Sequence, residues 1–388
     1  MALTVNQAPK SVNWSKDPCW MEIETSLITA GESSEPNLSL YAQIERNTIF
    51  VTELNAPFDL NTALTDFDLS GLSLTYPEPP DDGSMTSFDQ GVLQNVSIEL
   101  LVKIAEMFGE PAERPESLTS FGPYVMIHGH TPYWFGLGLT AKDSLLHSYY
   151  DMKGTEAVKE IRKGQPEYVY IYSHTGASVP IEVDLVYTDG TSTSAAGGSV
   201  TCAAKKVSWV NVGWDAMTVD SIADPAKIVN SYTVKFTLNG DEHLITYALD
   251  DHETDYDQYI LYENGLGGCE VLRCSGRHRI GVEGSKQTVA MSRVRGKSYK
   301  DGFRHTYNAK GAEAWQMETG YQNQQYIRHL SQLFLAERVW YIDMFREKFV
   351  AVTIKENAAQ LIDFENDLYN MGFTMIFDDR PSISTFNI

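Results

Sequence analysis

The residues with the clearest capacity for chemistry lie between Tyr259 and Gly276, where two apolar runs flank the turn Asn264-Gly-Leu-Gly-Gly268. A glycine-rich turn holds phosphate when its free amides converge on the anion. That chemistry requires Gly-x-x-x-x-Gly-Lys followed by Ser or Thr, or Gly-x-Gly-x-x-Gly opening a helix. Neither spacing is present, and the segment that follows, Cys269 to Cys274, has strand composition. The turn therefore reads as the tip of a hairpin or a bulge. Zinc at Cys269 and Cys274 would need two further thiolates or imidazoles, and His278 is the one close candidate. Positions five apart on a strand face opposite sides, so chelation would also need a bulge between them.

Other constellations are weaker. His128 and His130 could share one side of a strand, but no carboxylate or third histidine stands nearby to complete a metal site. They read as partly exposed histidines beside the aromatic pair Tyr133-Trp134. The acidic run from Asp250 to Asp257 offers oxygen ligands for calcium, yet lacks the fixed spacing and central glycine of an EF-hand loop. Arg273, Arg277, His278 and Arg279 are the best local basic patch, and read as a solvated hairpin end offsetting nearby acids. A glycosidase carboxylate pair depends on separation in the fold, and nothing in the sequence selects one pair. No Gly-x-Ser-x-Gly elbow, His-Glu-x-x-His helix or kinase signature set occurs. No catalytic, metal or cofactor residue is assigned, and no cofactor is expected. Tyr133 and Trp134 are the candidate interface or glycan contact.

These groups must be positioned by strands, because extended segments separated by turn chemistry dominate the chain. In the first part, Trp20 to Thr25 alternates, and Leu38 to Glu45 and Thr48 to Leu54 form a hairpin around Arg46-Asn47. A strand is expected over Leu69 to Tyr76, ending in the proline-rich loop Pro77 to Gly83, which should be exposed. After the strand Val96 to Val102, Glu110 to Ser120, with Pro111 and Pro115, looks like a linker, and Tyr124 to Tyr150 has no clear period. Between 165 and 250, strands are expected at Tyr168 to Ser173, Ile181 to Tyr187, Lys206 to Trp214, Tyr232 to Leu238 and His243 to Leu249. Asp189-Gly190 and Asn239-Gly240 mark hairpin turns. About six strands there suggest a sandwich resembling immunoglobulin or fibronectin type III modules.

The remaining unit, 251–388, holds an amphipathic helix over 323–336, whose face carries Tyr326, Leu330, Leu333 and Phe334. Strands Val339 to Phe345 and Phe349 to Lys355 follow. The segment Ala358 to Phe377 fits either a helix ending at Gly372 or a hairpin turning at Glu365-Asn-Asp367. The expected organisation is an N-terminal β domain at 1–110, an irregular linker at 111–164, the sandwich at 165–250 and an α+β unit at 251–388. The fold class is mainly β, with several sandwich modules.

Length and charge bound the function. A chain of 388 residues suggests two to four units, each with its own core. A formal charge of −22 argues against binding bare nucleic acid or an anionic membrane surface. No apolar run approaches the ~18 residues that span a bilayer, and no secretory signal or lipoprotein anchor is visible, so neither membrane insertion nor export is expected. Four cysteines do not make a disulfide framework and are expected to be reduced. Trp134, Trp209, Trp214, Trp315 and Trp340 could serve subunit interfaces, and core packing explains many of them equally well.

Tyr262-Glu-Asn-Gly-Leu-Gly-Gly268 through Ser275-Gly276 resembles an uncharacterised family of virion proteins in phages and prophages of Bacteroidetes. The order of Thr319-Gly-Tyr321, the helix ending near Leu333 to Glu337, Val339-Trp-Tyr-Ile342, Phe349-Val-Ala-Val-Thr-Ile354 and Asp378-Asp-Arg-Pro381 is similar to that family. The resemblance covers roughly residues 165–388. It implies a structural component of the tail or baseplate, a hairpin rather than a helix over 358–377, and no catalytic residues. The expected partners are other virion proteins in a homo-oligomer, with a host-surface glycan as an alternative ligand and an orphan glycoside hydrolase as a third reading. The expected location is the virion, assembled in the host bacterial cytoplasm.

Overall fold

The structure is a computed structural model that describes residues 3–9, 12–14, 16, 19–29, 32–33, 38–59, 62–69, 78–83, 85–93, 96–108, 115, 117–128, 144–146, 158–250, 256–290, 304–322, 326, 329–355 and 369–377. Nearly all of its regular structure is strand, in several separate sheets. The chain divides into two compact units. The first comprises Met1–Pro80, Thr86–Leu249 and Asn264–Glu270, and the second Asp81–Met85, Asp250–Glu263 and Val271–Ile388. No helix among the described residues is long and apolar enough to cross a membrane.

Strand alternation builds the first core of the first unit. In Trp20–Thr25, Met21, Ile23 and Thr25 are buried while Trp20 and Glu24 face out. This strand is the centre of a three-stranded sheet with Leu3–Gln7 and Leu64–Asp68. A five-stranded sheet supplies the opposing layer, in the order Val12–Trp14, Thr119–Ile127, Ser97–Met107, Ser39–Arg46 and Ile49–Pro57. Leu40, Ala42 and Ile44 of one strand and Ile98, Leu100, Val102 and Ile104 of its neighbour share a core with Met21 and Ile23. Two sheets closing on one apolar layer make a sandwich. The expected hairpin is present with its turn one residue later than expected, at Asn47-Thr48: Arg46 still pairs with Ile49, and Asn47 and Thr48 are both at positive φ (48° and 70°), as a type I′ turn requires.

The second core of this unit lies between a four-stranded sheet (Ser144–Leu145, Tyr168–Ser173, Lys206–Asn211, Gln90–Leu93) and a five-stranded one (Lys159–Ile161, Asp241–Leu249, Val229–Leu238, Ser178–Tyr187, Ser192–Thr201). Val169, Ile171 and Val210 from the first meet Val183, Leu185, Val234 and Phe236 from the second. Trp214 packs edge-on against Tyr232 at 5.9 Å, and the Tyr232 hydroxyl donates to the Val212 carbonyl at 3.0 Å. Six strands of this sandwich fall between 165 and 250, as expected. Gln90–Leu93, Ser144–Leu145 and Lys159–Ile161 join from earlier in the chain, and strands of two to four residues are too short to show a period. Asn239 (φ 54°) and Gly240 (φ 88°) form the expected turn between Val229–Leu238 and Asp241–Leu249.

The second unit carries a seven-stranded sheet in the order Cys269–Cys274, Gln258–Glu263, Val339–Asp343, Lys348–Ile354, Tyr369–Phe377, Arg304–Gln322 and Arg279–Ala290. Tyr369–Phe377 is a strand, with Met371, Phe373, Met375 and Phe377 buried on one face. Gly372 lies within it and pairs with Glu318, so it does not end a helix. The preceding residues 356–368, with the expected turn at 365–367, are outside the described residues, as is 378–388. The helix expected over 323–336 is described at Ser331–Leu335, and Ala336 leaves it in an extended conformation. Its face is apolar as expected: Tyr326, Leu330 and Leu333 are buried and Phe334 is half-buried. Of the proline-rich loop, Glu78 and Asp81 to Gly83 are exposed and Pro80 is buried.

Candidate functional site

The glycine turn is filled by its own chain. Asn264 accepts from the Leu266 and Gly268 amides on Oδ1, each at 3.0 Å, and its own amide donates to the Gly268 carbonyl at 2.9 Å. Its Nδ2 donates to the Leu146 carbonyl at 2.9 Å and to Glu270 Oε1 at 3.0 Å. Amides that a phosphate cradle would aim at an anion are thus used inside the turn. Gly267 has φ +91°, and a Cβ there would stand 2.4 Å from the His128 carbonyl oxygen. A Cβ at Gly268 would stand 2.8 Å from the Tyr170 Cβ. Leu266 is buried, and its carbonyl accepts from Trp14 Nε1 at 3.1 Å. Glycine is needed here for close backbone approach, and the turn is a packing element.

The first unit also gathers a buried carboxylate pair that electrostatics couples. Glu167 and Glu270 are both buried. Lys159 Nζ reaches Glu167 Oε1 at 2.6 Å and Oε2 at 2.9 Å, and Gln165 Nε2 donates to Oε1 at 2.8 Å. Burial raises the Glu167 pKa; the Lys159 ammonium and the hydrogen bonds from Lys159 and Gln165 pull it down, and Glu270 pushes it up again. Sequence separation hid this cluster, since its members sit at 159, 165, 167 and 270. The arrangement can neutralise and hold buried charge. With both acids inside the protein, it presents no face to a sugar.

In the second unit, Arg273 is buried rather than part of a solvated hairpin end. Its Nε and Nη2 donate to Asp257 Oδ1 and Oδ2 at 3.1 and 3.3 Å, and Nη1 donates to Asp250 Oδ2 at 2.6 Å. Burial opposes its charge, yet these bonds hold its pKa above the usual arginine value. The expected basic patch is therefore split. Arg277 and Arg279 are exposed, while the half-buried His278 stacks on Trp315 at 5.8 Å. Both ends of the acidic run serve as anions for Arg273, and residues 251–255 between them are outside the described residues.

His128 is buried rather than partly exposed, and its amide donates to the Val96 carbonyl at 3.0 Å. His130, Tyr133 and Trp134 lie outside the described residues. All four cysteines are free and buried, and burial with Asp68 nearby pushes the Cys19 thiol up to about 12. No group of three His, Cys, Asp or Glu side chains among the described residues is placed to hold a metal. Trp209, Trp214 and Trp340 are buried and Trp315 is half-buried, packed on Tyr341 and Phe377, so these four belong to cores.

No protein-family model matches the chain, and no curated protein does. Solved structures give distant likenesses. Latent PorU from Porphyromonas gingivalis is 7% identical at a TM-score of 0.19, covering 82% of this chain and 32% of that one. The S-layer protein SbsC is 12% identical at 0.19, covering 92% and 40%. A structure of its domains 1–6 is 11% identical at 0.19, covering 92% and 53%. This chain thus spans from about a third to about half of those chains, and TM-scores this low mark no shared fold.

Two outcomes follow from the site. Gly267→Ala should cost about 2–4 kcal/mol, from left-handed strain plus the clash with His128. Gly190→Ala should cost only about 1–2 kcal/mol, because it shares a positive φ (82°) but has nothing within 4 Å of an added Cβ. Equal urea midpoints for the two variants would contradict the packed turn. The second outcome is pH-dependent. A carboxyl raised in the folded state favours folding fully below its ordinary value of 4.5, and that contribution is lost as pH rises through the raised value. Lys159→Met should therefore cost about 3–5 kcal/mol near neutral pH, clearly less near pH 4, and little when combined with Glu167→Leu. A cost independent of pH in urea titrations would refute the ion-pair reading.

Proposed function

We propose that the chain is a structural component of a tailed phage particle, in the tail or baseplate, that works through protein–protein assembly rather than catalysis. The observation that carries assembly is the hairpin end at Ile49, Phe50 and Val51. These three consecutive apolar side chains are 70%, 51% and 44% exposed on the outermost strand of a five-stranded sheet. Open sheet edges carrying large apolar side chains are interaction or aggregation surfaces, and natural proteins keep them when a partner covers them. The ionisable clusters support the same reading, because Glu167, Glu270 and Arg273 are engaged in holding strands and turns together. The similarity of the 262–276 stretch to phage virion proteins supplies the particle. Its partners in this reading are other tail or baseplate proteins and further copies of itself, assembled in the host cytoplasm.

Mass spectrometry of purified particles from the host strain checks this. The polypeptide should be present at a fixed copy number relative to the other tail proteins. Its absence from particles, or a soluble population that binds glycans on an array while remaining apart from particles, would overturn the reading.

A further inference from the structure

We infer that the folded chain closes an amide bond within itself, between Lys159 Nζ and the side-chain carbonyl carbon of Gln165, with Glu167 as the acid and base and ammonia as the product released. The linkage needs neither a partner nor a particle, so it stands apart from the assembly reading above. The groups that acyl transfer requires are collected out of water, with Lys159, Gln165 and Glu167 only 5%, 1% and 3% exposed. Glu167 bridges the other two. Its Oε1 accepts from Lys159 Nζ at 2.6 Å and from Gln165 Nε2 at 2.8 Å, and its Oε2 accepts from Lys159 Nζ at 2.9 Å. Two donors that share one oxygen stand about 4–5 Å apart, so the amine lies beside the carboxamide. The other end of that carboxamide is held as well, since Gln165 Oε1 accepts from the Arg162 amide at 3.2 Å.

Neutralising a buried lysine takes one acid. Gln165 adds an electrophile gripped at both ends, with an acid on the nitrogen that must leave and a backbone donor on the oxygen that must carry charge. Glu167 is the poorer acceptor of the amine, because its two oxygens, rather than its carbon, meet Lys159. The site also sits where a bond would act on the fold. Lys159–Ile161 is an end strand of the five-stranded sheet and pairs over three residues with Asp241–Leu249, while Glu167 directly precedes Tyr168–Ser173 of the opposing sheet. Between them the Gln165 amide donates to the Arg162 carbonyl at 3.1 Å, which shapes the turn. A bond from Lys159 to Gln165 fastens this short strand to the turn that enters the other sheet.

The step balances without a co-reactant. Glu167 takes one proton from the Lys159 ammonium, giving a neutral amine and a neutral acid, and burial favours that acid. The Nζ lone pair forms a bond to Gln165 Cδ, and the carbonyl electrons move onto Oε1, where the Arg162 amide meets them. Glu167 passes its proton to Nε2, the Cδ–Nε2 bond breaks, and the nitrogen departs as ammonia. Glu167 then takes the surplus proton from Nζ, which leaves a neutral secondary amide beside a neutral acid. Burial keeps water from competing for the carbonyl. Closure starts from the ion pair, so freshly folded protein has the pH dependence given above, and the bond replaces it as the preparation ages.

Intact-mass spectrometry of the full-length protein, taken when fresh and again after days of incubation in the folded state, tests the bond. The mass should fall by one ammonia. Trypsin cuts after Arg162 and Lys163, inside the closed ring, so the peptides carrying Lys159 and Gln165 should stay joined after digestion. Lys159→Met and Gln165→Met should each keep their full mass, and Glu167→Leu, which retains both reacting groups, should close at least about a hundredfold more slowly. Circular dichroism confirms that each variant is folded. The unmodified protein decides the matter even where a variant fails to fold. If it stays folded through the incubation and keeps its full mass, the inference is overturned, as it is if the ammonia loss maps to another residue or if folded Glu167→Leu closes at the original rate.

Discussion

Asn264 has one carbonyl oxygen and one amide nitrogen to offer from its side chain, and both are fully used in holding a five-residue turn closed. The oxygen takes two backbone amides of that turn, and the nitrogen gives its two protons to the Leu146 carbonyl and to Glu270. An amide buried in a low-dielectric interior costs on the order of 1–3 kcal/mol for each group left unpaired, so this arrangement is stable only when complete. Leu266, Gly267 and Gly268 then fix what surrounds them. Trp14 bonds to the first, the His128 carbonyl crowds the second, and the Tyr170 side chain packs on the third. The glycine turn is thus conditioned by packing, since Asn264, Leu266, Gly267 and Gly268 each answer a steric or hydrogen-bonding demand.

The buried charges obey the same constraint. Lys159 with Glu167, and Arg273 with Asp250 and Asp257, are ionic groups withdrawn from water, where desolvation cancels much of the attraction. Their value lies in specificity, because a strand shifted by one residue would leave a charge buried without its partner. Large apolar side chains are also exposed, among them Ile49, Phe50 and Val51 on one edge strand and Ile280 and Val282 on another.

Local signals in the sequence were sufficient for much of the strand framework. Trp20–Thr25 and Tyr168–Ser173 match their expected limits because alternation or β-branched and aromatic runs end at clear turn residues. Asn239-Gly240 is legible because Asn-Gly is among the dipeptides most favoured where two successive residues take left-handed conformations. The segment ending at Phe377 was ambiguous, since apolar residues at 361, 362, 368 and 369 mimic a helical face while 371, 373, 375 and 377 alternate. Pairing with Arg304–Gln322 decides it, and that partner is distant in sequence. Arg273 looked like a surface cation for a similar reason: its carboxylates sit 16 and 23 residues away, and their convergence is a property of the fold. The apolar hairpin end was invisible because a bulge at Val51 cannot be read from composition.

Native-state hydrogen exchange at the Leu266 and Gly268 amides tests most directly whether the glycine turn is a packed structural element. Both donate to Asn264 Oδ1, so they should exchange only through unfolding of the first unit, with the same denaturant dependence as core amides such as Val183 and Val234. Exchange at rates close to those of an unstructured peptide, insensitive to denaturant, would show the turn to be an open loop and contradict the account.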